Sequence, residues 1–168
     1  MKARNRYWVG LGGNVGAVRE CLTSVTREIE ATLLTVVDAS GIYRTPPWGP
    51  VAQADFLNQV ITFESALEPL RLLAYLQDVE ARFGRDRSKE TRWGPRPLDL
   101  DILSWSGESL STSELEIPHP RLSQRRFVLQ PFAEISPDHR PANSPLTIKE
   151  LLEQCEDTSE LHCISPLS

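Results

Sequence analysis

The sequence predicts an α+β fold, an antiparallel sheet with helices packed against it, and three observations carry that prediction. A strand, a helix and a strand follow one another from Tyr7 to Ile42, and the same order returns from Phe56 to Leu103. The last of these strands alternates Leu98, Leu100 and Ile102 with Asp99 and Asp101, so one of its faces is apolar and the other acidic. Between the strands, apolar residues recur at spacings of three and four, the period of a helix laid on a core. Two strand-helix-strand units in tandem match a ferredoxin-like core.

Tyr7 to Leu11 reads as the first strand and runs into G-L-G-G-N-V-G, Gly10 to Gly16. Glycine-rich turns before a helix often hold phosphate. The spacing here fits neither G-x-G-x-x-G nor the P-loop, and a tight turn with Asn14 in a left-handed or capping role is expected. Val18, Leu22, Val25, Ile29 and Leu33 form a helical stripe, and Leu34 to Ile42 reads as a second strand. The loop from Tyr43 to Pro50, Y-R-T-P-P-W-G-P, is stiffened by Pro46, Pro47 and Pro50. Its Trp48 suits either a packing anchor or a ligand contact.

Phe56 to Glu64 reads as a third strand, with Leu57, Ile61 and Phe63 on one face and Phe56, Asn58 and Val60 on the other. Asn58 either ends a ladder or offers its amide to a matching edge. Pro69 opens a second helix along Leu72, Leu73, Leu76, Val79 and Phe83, and Gly84 closes it. Its Gln77 and Glu80 read as a solvated face. Arg85 to Thr91, R-D-R-S-K-E-T, is a flexible loop, either a plain connector or a lid over an anion. Past the fourth strand, Ser106-Gly107-Glu108 turns the chain back through a short strand. Thr147 and Glu150 form a capping box, with Leu146 and Leu151 placed as a staple, before a short helix carrying Ile148, Leu151, Leu152 and Cys155. The chain, 1–168, reads as a single catalytic domain with a loose tail over about 156–168.

Composition narrows the function. The net charge of −5 argues against general nucleic-acid binding, and no apolar run is long enough to span a membrane. The three cysteines, Cys21, Cys155 and Cys163, make no C-x-x-C pair, so a reducing cytoplasm is expected. Against that acidic background, Arg82 to Arg96 holds Arg82, Arg85, Arg87, Lys89, Arg92 and Arg96 against only Asp86 and Glu90. A basic patch on an acidic protein points to one compact anion.

The chemistry concentrates in R-W-G-P-R-P-L-D-L-D, Arg92 to Asp101. Taken alone, D-L-D could be the solvated face of an edge strand. Two carboxylates about 6.5–7 Å apart along one strand face can also share a pair of hard cations, and Mg²⁺ suits an oxygen-only set. Guanidinium forks such as those of Arg92 and Arg96 grip phosphate, and Trp93 suits a flat ring.

The whole string resembles the signature of the 6-hydroxymethyl-7,8-dihydropterin pyrophosphokinase (HPPK) family of the folate pathway, with Arg92, Gly94, Pro95, Arg96, Asp99, Leu100, Asp101, Ile102 and Leu103 filling its defined positions. The G-L-G-G-N-V-G start, the Y-R-T-P-P loop, the Phe56-Leu57-Asn58 triplet and P-H-P-R-L-S-Q-R-R-F-V from Pro118 are similar to the family's segments in the same order, from Tyr7 to about Cys155. Two departures are mild. Gly13 stands at a usual serine, and Trp48 where a smaller apolar residue is common.

This resemblance implies ATP-dependent diphosphate transfer to the hydroxymethyl group of 6-hydroxymethyl-7,8-dihydropterin, with release of AMP. It implies a pterin pocket of Thr45, Pro46, Trp48, Phe56, Asn58, Trp93 and Phe127. ATP contacts fall on Gln77, Arg87, Ile102, His119 and Arg125. Arg85, Arg92, Arg96, Asp99 and Asp101 are implied for catalysis, with two Mg²⁺ on Asp99 and Asp101. Arg121 and Arg126 are weaker matches and suit either a further contact or a plain surface charge. The partners expected are these two small molecules, for a monomer without nucleic-acid or membrane contacts. Two rivals stand beside this reading: a nucleotidyltransferase, which would release diphosphate, and a non-catalytic ligand-binding domain, which would need neither D-L-D nor the arginines.

Overall fold

The computed structural model describes residues 3–32 and 35–165. A six-stranded sheet forms the middle layer. Strand β1, Asn5–Gly13, lies between β5, Asp99–Trp105, and β4, Phe56–Ser65, antiparallel to both. Beyond β4 come β2, Thr35–Ala39, and β3, Ile42–Thr45, and β3 is followed by β8, His162–Ser165. The order β5-β1-β4-β3 is what two strand-helix-strand units produce when interleaved. A separate hairpin joins β6, Leu110–Ser111, to β7, Glu116–Ile117.

Helices α1, Val18–Ala31, and α2, Pro69–Arg82, cover one face of the sheet. Leu22, Val25 and Ile29 from α1 and Leu72, Leu76 and Val79 from α2 meet Val9, Ile61, Phe63, Leu100 and Ile102 there. Helices α3, Arg126–Ile135, and α4, Ile148–Glu153, cover the other face. Their Val128, Leu129, Phe132 and Ile148 pack with Trp8, Val60 and Leu103. The expected alternation therefore holds: the leucines of D-L-D lie against α1 and α2, and the aspartates open on the α3 side.

Several expectations are corrected. The glycine run bends only in its second half, because β1 continues through Gly12 and Gly13 and the chain turns at residues 15–17, where Gly16 has a φ of +78°. A Cβ on Gly12 would lie 2.5 Å from Asn58 Oδ1, and one on Gly13 would lie 2.4 Å from the Pro97 carbonyl oxygen. These glycines permit close approach. The second strand breaks into β2 and β3 at Ser40 and Gly41, where the Ser40 hydroxyl accepts the Val60 N–H at 3.0 Å. Tyr43 to Thr45, expected in the loop, pair with Phe56 to Asn58. Leu33 and Leu34 lie outside the described residues.

Helix α3 is unheralded by the sequence reading because Pro131 sits inside it. Burial of Val128, Leu129, Pro131 and Phe132 holds the helix despite the missing N–H. Glu80 is buried rather than solvated. The tail expected to be loose contributes β8, whose Cys163 pairs with Tyr43. The capping box of α4 forms as read, with the Glu150 N–H on Thr147 Oγ1 and the Thr147 N–H on Glu150 Oε2.

Candidate active site

The sheet and α3 leave a cleft between them, and the loops before β4 and β5 line its mouth. Thr45 and Pro46 end β3, Phe56 and Asn58 begin β4, and Phe127 projects from the first turn of α3. Trp48 and Trp93 wall the mouth, with ring centroids 5.2 Å apart in an edge-on arrangement. Asn58 donates from Nδ2 to the buried Thr45 Oγ1 at 2.7 Å, which fixes the amide and leaves its oxygen available. The cleft thus offers aromatic faces and a held amide, a site for a flat, neutral heterocycle with hydrogen-bonding edges.

Asp99, Asp101 and Arg96 line the same cleft. Asp99 Oδ1 accepts from Arg85 Nη1 at 2.7 Å, and its Oδ2 lies 3.6 Å from Arg96 Nη1. Asp101 has no side-chain hydrogen bond or ion pair among the described residues. Burial, reinforced by the Asp99 charge, pushes its carboxyl up to about 7, against the pull of Arg125. A carboxylate so held is unsatisfied without a cation. The described residues contain no cluster of three or more His, Cys, Asp or Glu for a metal. Two carboxylates alone suit Mg²⁺ that arrives with phosphate oxygens and keeps its waters.

A second, basic cleft adjoins the first, lined by Arg85, Arg87, Arg92, Arg96 and Arg121 with Trp93 shared between the two. Arg85 is corrected most by the structure. It is not part of a mobile lid but is buried, with hydrogen bonds to Glu80 Oε1 at 2.8 Å, Asp99 Oδ1 at 2.7 Å and Glu90 Oε1 at 2.6 Å. Burial alone would ease its proton off, but the Glu90, Asp99 and Glu80 carboxylates hold the guanidinium charged. Glu80 in turn accepts the Leu100 N–H at 2.7 Å and Arg87 Nη2 at 2.7 Å. Burial raises its carboxyl, while that N–H and Arg85 oppose the rise. The rest of the loop is exposed except for the half-buried Glu90, and Arg87–Lys89 form a short 3-10 turn capped by Asp86.

Arg92, Arg121 and Arg125 behave differently. None makes an ion pair or a side-chain hydrogen bond among the described residues. Arg92 lies over Trp93 at 5.3 Å, Arg121 over Trp93 at 4.5 Å, and Arg125 over Trp48 at 5.0 Å. His119 accepts the Arg121 N–H at Nδ1, 3.1 Å away. Burial and then Arg125 depress its pKa to about 4, so the ring is neutral and carries its proton on Nε2.

Two of the residues implied for ATP contact lie where the periods of β5 and α2 put them. The Ile102 side chain is buried against α1 and α2, and only its main chain reaches the open edge of β5. Gln77 is exposed on α2 beside Arg87, outside the aromatic cleft.

A sequence profile of the 7,8-dihydro-6-hydroxymethylpterin-pyrophosphokinase (HPPK) family matches residues 8–137. The chain belongs to the HPPK family. It is 42% identical over 134 residues to the 2-amino-4-hydroxy-6-hydroxymethyldihydropteridine pyrophosphokinase of Methylorubrum extorquens, covering 79% of this chain and 84% of the relative. The protein of the same name from Synechocystis is 40% identical over 152 residues, covering 90% and 76%. The crystal structure of Plasmodium falciparum HPPK-DHPS, wild type with pteroate, superposes with a TM-score of 0.68 at 14% identity. That match covers 91% of this chain but only 42% of the other, so the chain spans less than half of it, and the likeness concerns the fold alone.

Within this HPPK-family site, three residues escaped the sequence reading. Glu80 falls on the apolar stripe of α2, four residues after Leu76, and an acid on a core stripe was the available signal. Asn14 neither caps α1 nor adopts a left-handed backbone. Its Nδ2 donates to Gln53 Oε1 and to the Ala54 carbonyl, both at 2.9 Å, and its Oδ1 accepts the Arg96 N–H at 3.0 Å. Gln53 donates to the Trp93 carbonyl at 2.6 Å, fastening a residue whose φ is +63°. Nothing in the sequence signalled this strut. Arg121, left open between a contact and a surface charge, is the third.

Proposed function

We propose that the chain transfers the diphosphate of ATP to the hydroxymethyl oxygen of 6-hydroxymethyl-7,8-dihydropterin, releasing AMP, as a single catalytic domain. The observation that carries this reading is the adjacency of the two clefts. An aromatic pocket for a neutral ring and a basic cleft for a polyanion share Trp93 and Arg96, and the aspartates line the pocket beside them.

In this arrangement Phe56, Phe127 and the Trp48 wall hold the pterin ring, and the Asn58 carboxamide oxygen accepts from its edge. The triphosphate lies along Arg87, Arg92, Arg96 and Arg125. The hydroxymethyl oxygen bonds to the β-phosphorus while the bond from that phosphorus to the oxygen bridging to the α-phosphorus breaks. The hydroxyl proton passes to solvent water, and AMP departs with the bridging oxygen and the bonding pair. HPPK enzymes use ATP with Mg²⁺; two ions on Asp99 and Asp101 would neutralise phosphate charge and template the triphosphate when bound. The protein's own part is positioning and charge stabilisation, as phosphoryl transfer requires. Arg85 keeps Asp99 oriented, and the neutral His119 offers its Nε2–H to a nucleotide oxygen. No helix among the described residues is long and apolar enough to cross a membrane. A monomer in the cytoplasm, free of nucleic-acid contacts, fits this small-molecule chemistry.

Incubation with ATP, Mg²⁺ and the hydroxymethyl-dihydropterin, followed by product analysis, tests the reading. One AMP per diphosphorylated pterin is expected. Free diphosphate with AMP retained on the pterin would establish nucleotidyl transfer in its place.

A further inference from the structure

Arg121 lines the basic cleft together with Arg85, Arg87, Arg92 and Arg96. Arg85, Arg87 and Arg96 each face a carboxylate within 3.6 Å. Arg121 faces none within ion-pair distance among the described residues. Its guanidinium is held by two indoles, 4.5 Å from the Trp93 ring centre and 5.5 Å from that of Trp48. Its backbone is fastened as well, through the N–H given to His119 Nδ1 and the following 3-10 turn at Leu122–Gln124.

A guanidinium resting on aromatic faces keeps its N–H donors for a ligand, and the stack costs it little hydration. Trp48 and Trp93 also line the aromatic cleft, so Arg121 stands on the partition between the two compartments. Trp93 and Arg96 border both compartments, so Arg121, seated on Trp93, stands beside the boundary a transferred group crosses.

We propose that Arg121 is a further diphosphate-binding residue, whose guanidinium takes oxygens of the group that moves from nucleotide to pterin. This assignment rests on the diphosphate-transfer reading above. Trp48 and Trp93 thereby serve two purposes, as walls for the ring and as the seat of the cation. The residue is positioned for the transferred group and not for the ring, because it lies on the basic side of the indoles.

Calorimetry with inorganic diphosphate and Mg²⁺, run beside steady-state kinetics and thermal melts, tests the assignment on Arg121→Gln and Arg121→Lys. Gln keeps much of the length without the charge, whereas Lys keeps the charge. Arg121→Gln is expected to weaken diphosphate binding and lower kcat by roughly tenfold to a hundredfold, the range of lost charged hydrogen bonds. The KM for pterin and the Tm should stay near wild type, and Arg121→Lys should recover a large part of both losses. Wild-type diphosphate affinity and kcat in Arg121→Gln would overturn the assignment. So would equal losses in both variants accompanied by a lower Tm, which would make Arg121 a spacer between the indoles. A wild-type protein that releases diphosphate in place of AMP would instead overturn the transfer reading, and the calorimetric comparison would still report whether Arg121 binds the anion.

Discussion

The arginines around the two clefts divide into two sets. Arg85, Arg87 and Arg96 are engaged by the carboxylates of Glu80, Glu90 and Asp99. Arg92, Arg121 and Arg125 rest on Trp48, Trp93 and Phe127. The side chain is the same, but in the first set carboxylates take its donors, wholly at Arg85 and in part at Arg87 and Arg96, whereas in the second set the donors are free. A carboxylate-bound guanidinium stabilises the scaffold and holds a metal-facing aspartate in place. A ring-bound guanidinium keeps its N–H groups open to phosphate, even at Arg125, whose Nε is buried without a partner. Basic residues around an anion site are therefore not equivalent, and their partners sort them.

The largest effect should come from the first set. Removing Arg85 in Arg85→Ala leaves Glu80 and Asp99 beside one another without their shared cation. The loss of one partner from a buried ion network costs about 3–5 kcal/mol, so both Tm and turnover should fall steeply. A variant with wild-type Tm and reduced turnover would move Arg85 into the open set and collapse the distinction.

Asp101 comes next. In the folded, metal-free protein its carboxyl titrates near 7, against an ordinary value of 3.8. Between those values the folded state holds a proton that the unfolded chain has lost, so stability falls as pH rises through that window and levels off above it. Asp101→Asn should therefore abolish most turnover and weaken Mg²⁺-dependent ATP binding. It should also raise the Tm of the metal-free protein at pH 8, by on the order of 1–3 kcal/mol in stability. That gain should disappear near pH 4, as melts across the range would show. Equal Tm for the two proteins at pH 8 would mean that Asp101 carries no such strain.

The open set should lose function without losing the fold. Arg92→Ala and Arg125→Ala are expected to slow turnover roughly tenfold to a hundredfold with Tm within a few degrees of wild type, since each removes charged hydrogen bonds to substrate only. The smallest and most selective change is Asn58→Ala. Pterin affinity should drop by about 1–3 kcal/mol while calorimetry finds ATP affinity unchanged. Equal losses for both ligands would place Asn58 in the scaffold through its bond to Thr45.

What was legible beforehand follows the same division. The faces of β4 and β5 were readable because a period of two separates Asn58 and Asp99 from their apolar neighbours without any knowledge of partners. Trp93 was readable as a seat for a flat ring from its own segment, but Trp48, Phe56 and Phe127 were readable only through family resemblance, since nothing local distinguishes Trp48 from a packing residue. The arginine partners were hidden because an ion pair is a tertiary fact. Arg85 meets Asp99 fourteen residues later, and only the turn at Gly84 brings it inward beside Glu80. Asn14 meets Gln53 and Arg96 across distant loops, which no periodicity records. Helix α3 was missed for another reason: Pro131 opposes it locally and burial overrides that preference.

Strand β8 has a consequence for how the site is made. It is the last strand of the sheet to leave the ribosome, and it pairs with β3, whose final residue is Thr45. Until His162–Ser165 emerges, the outer flank of β3 has no neighbour in the sheet, although Thr45 already has Phe56 on its inner flank. Such long-range pairing is slow to form and comes late. The outer edge of Ile42, Tyr43 and Arg44 is therefore covered late, by residues more than a hundred positions downstream. A nascent chain stalled before β8 would carry every aspartate and arginine of the site on a sheet whose β3 still lacked its outer neighbour.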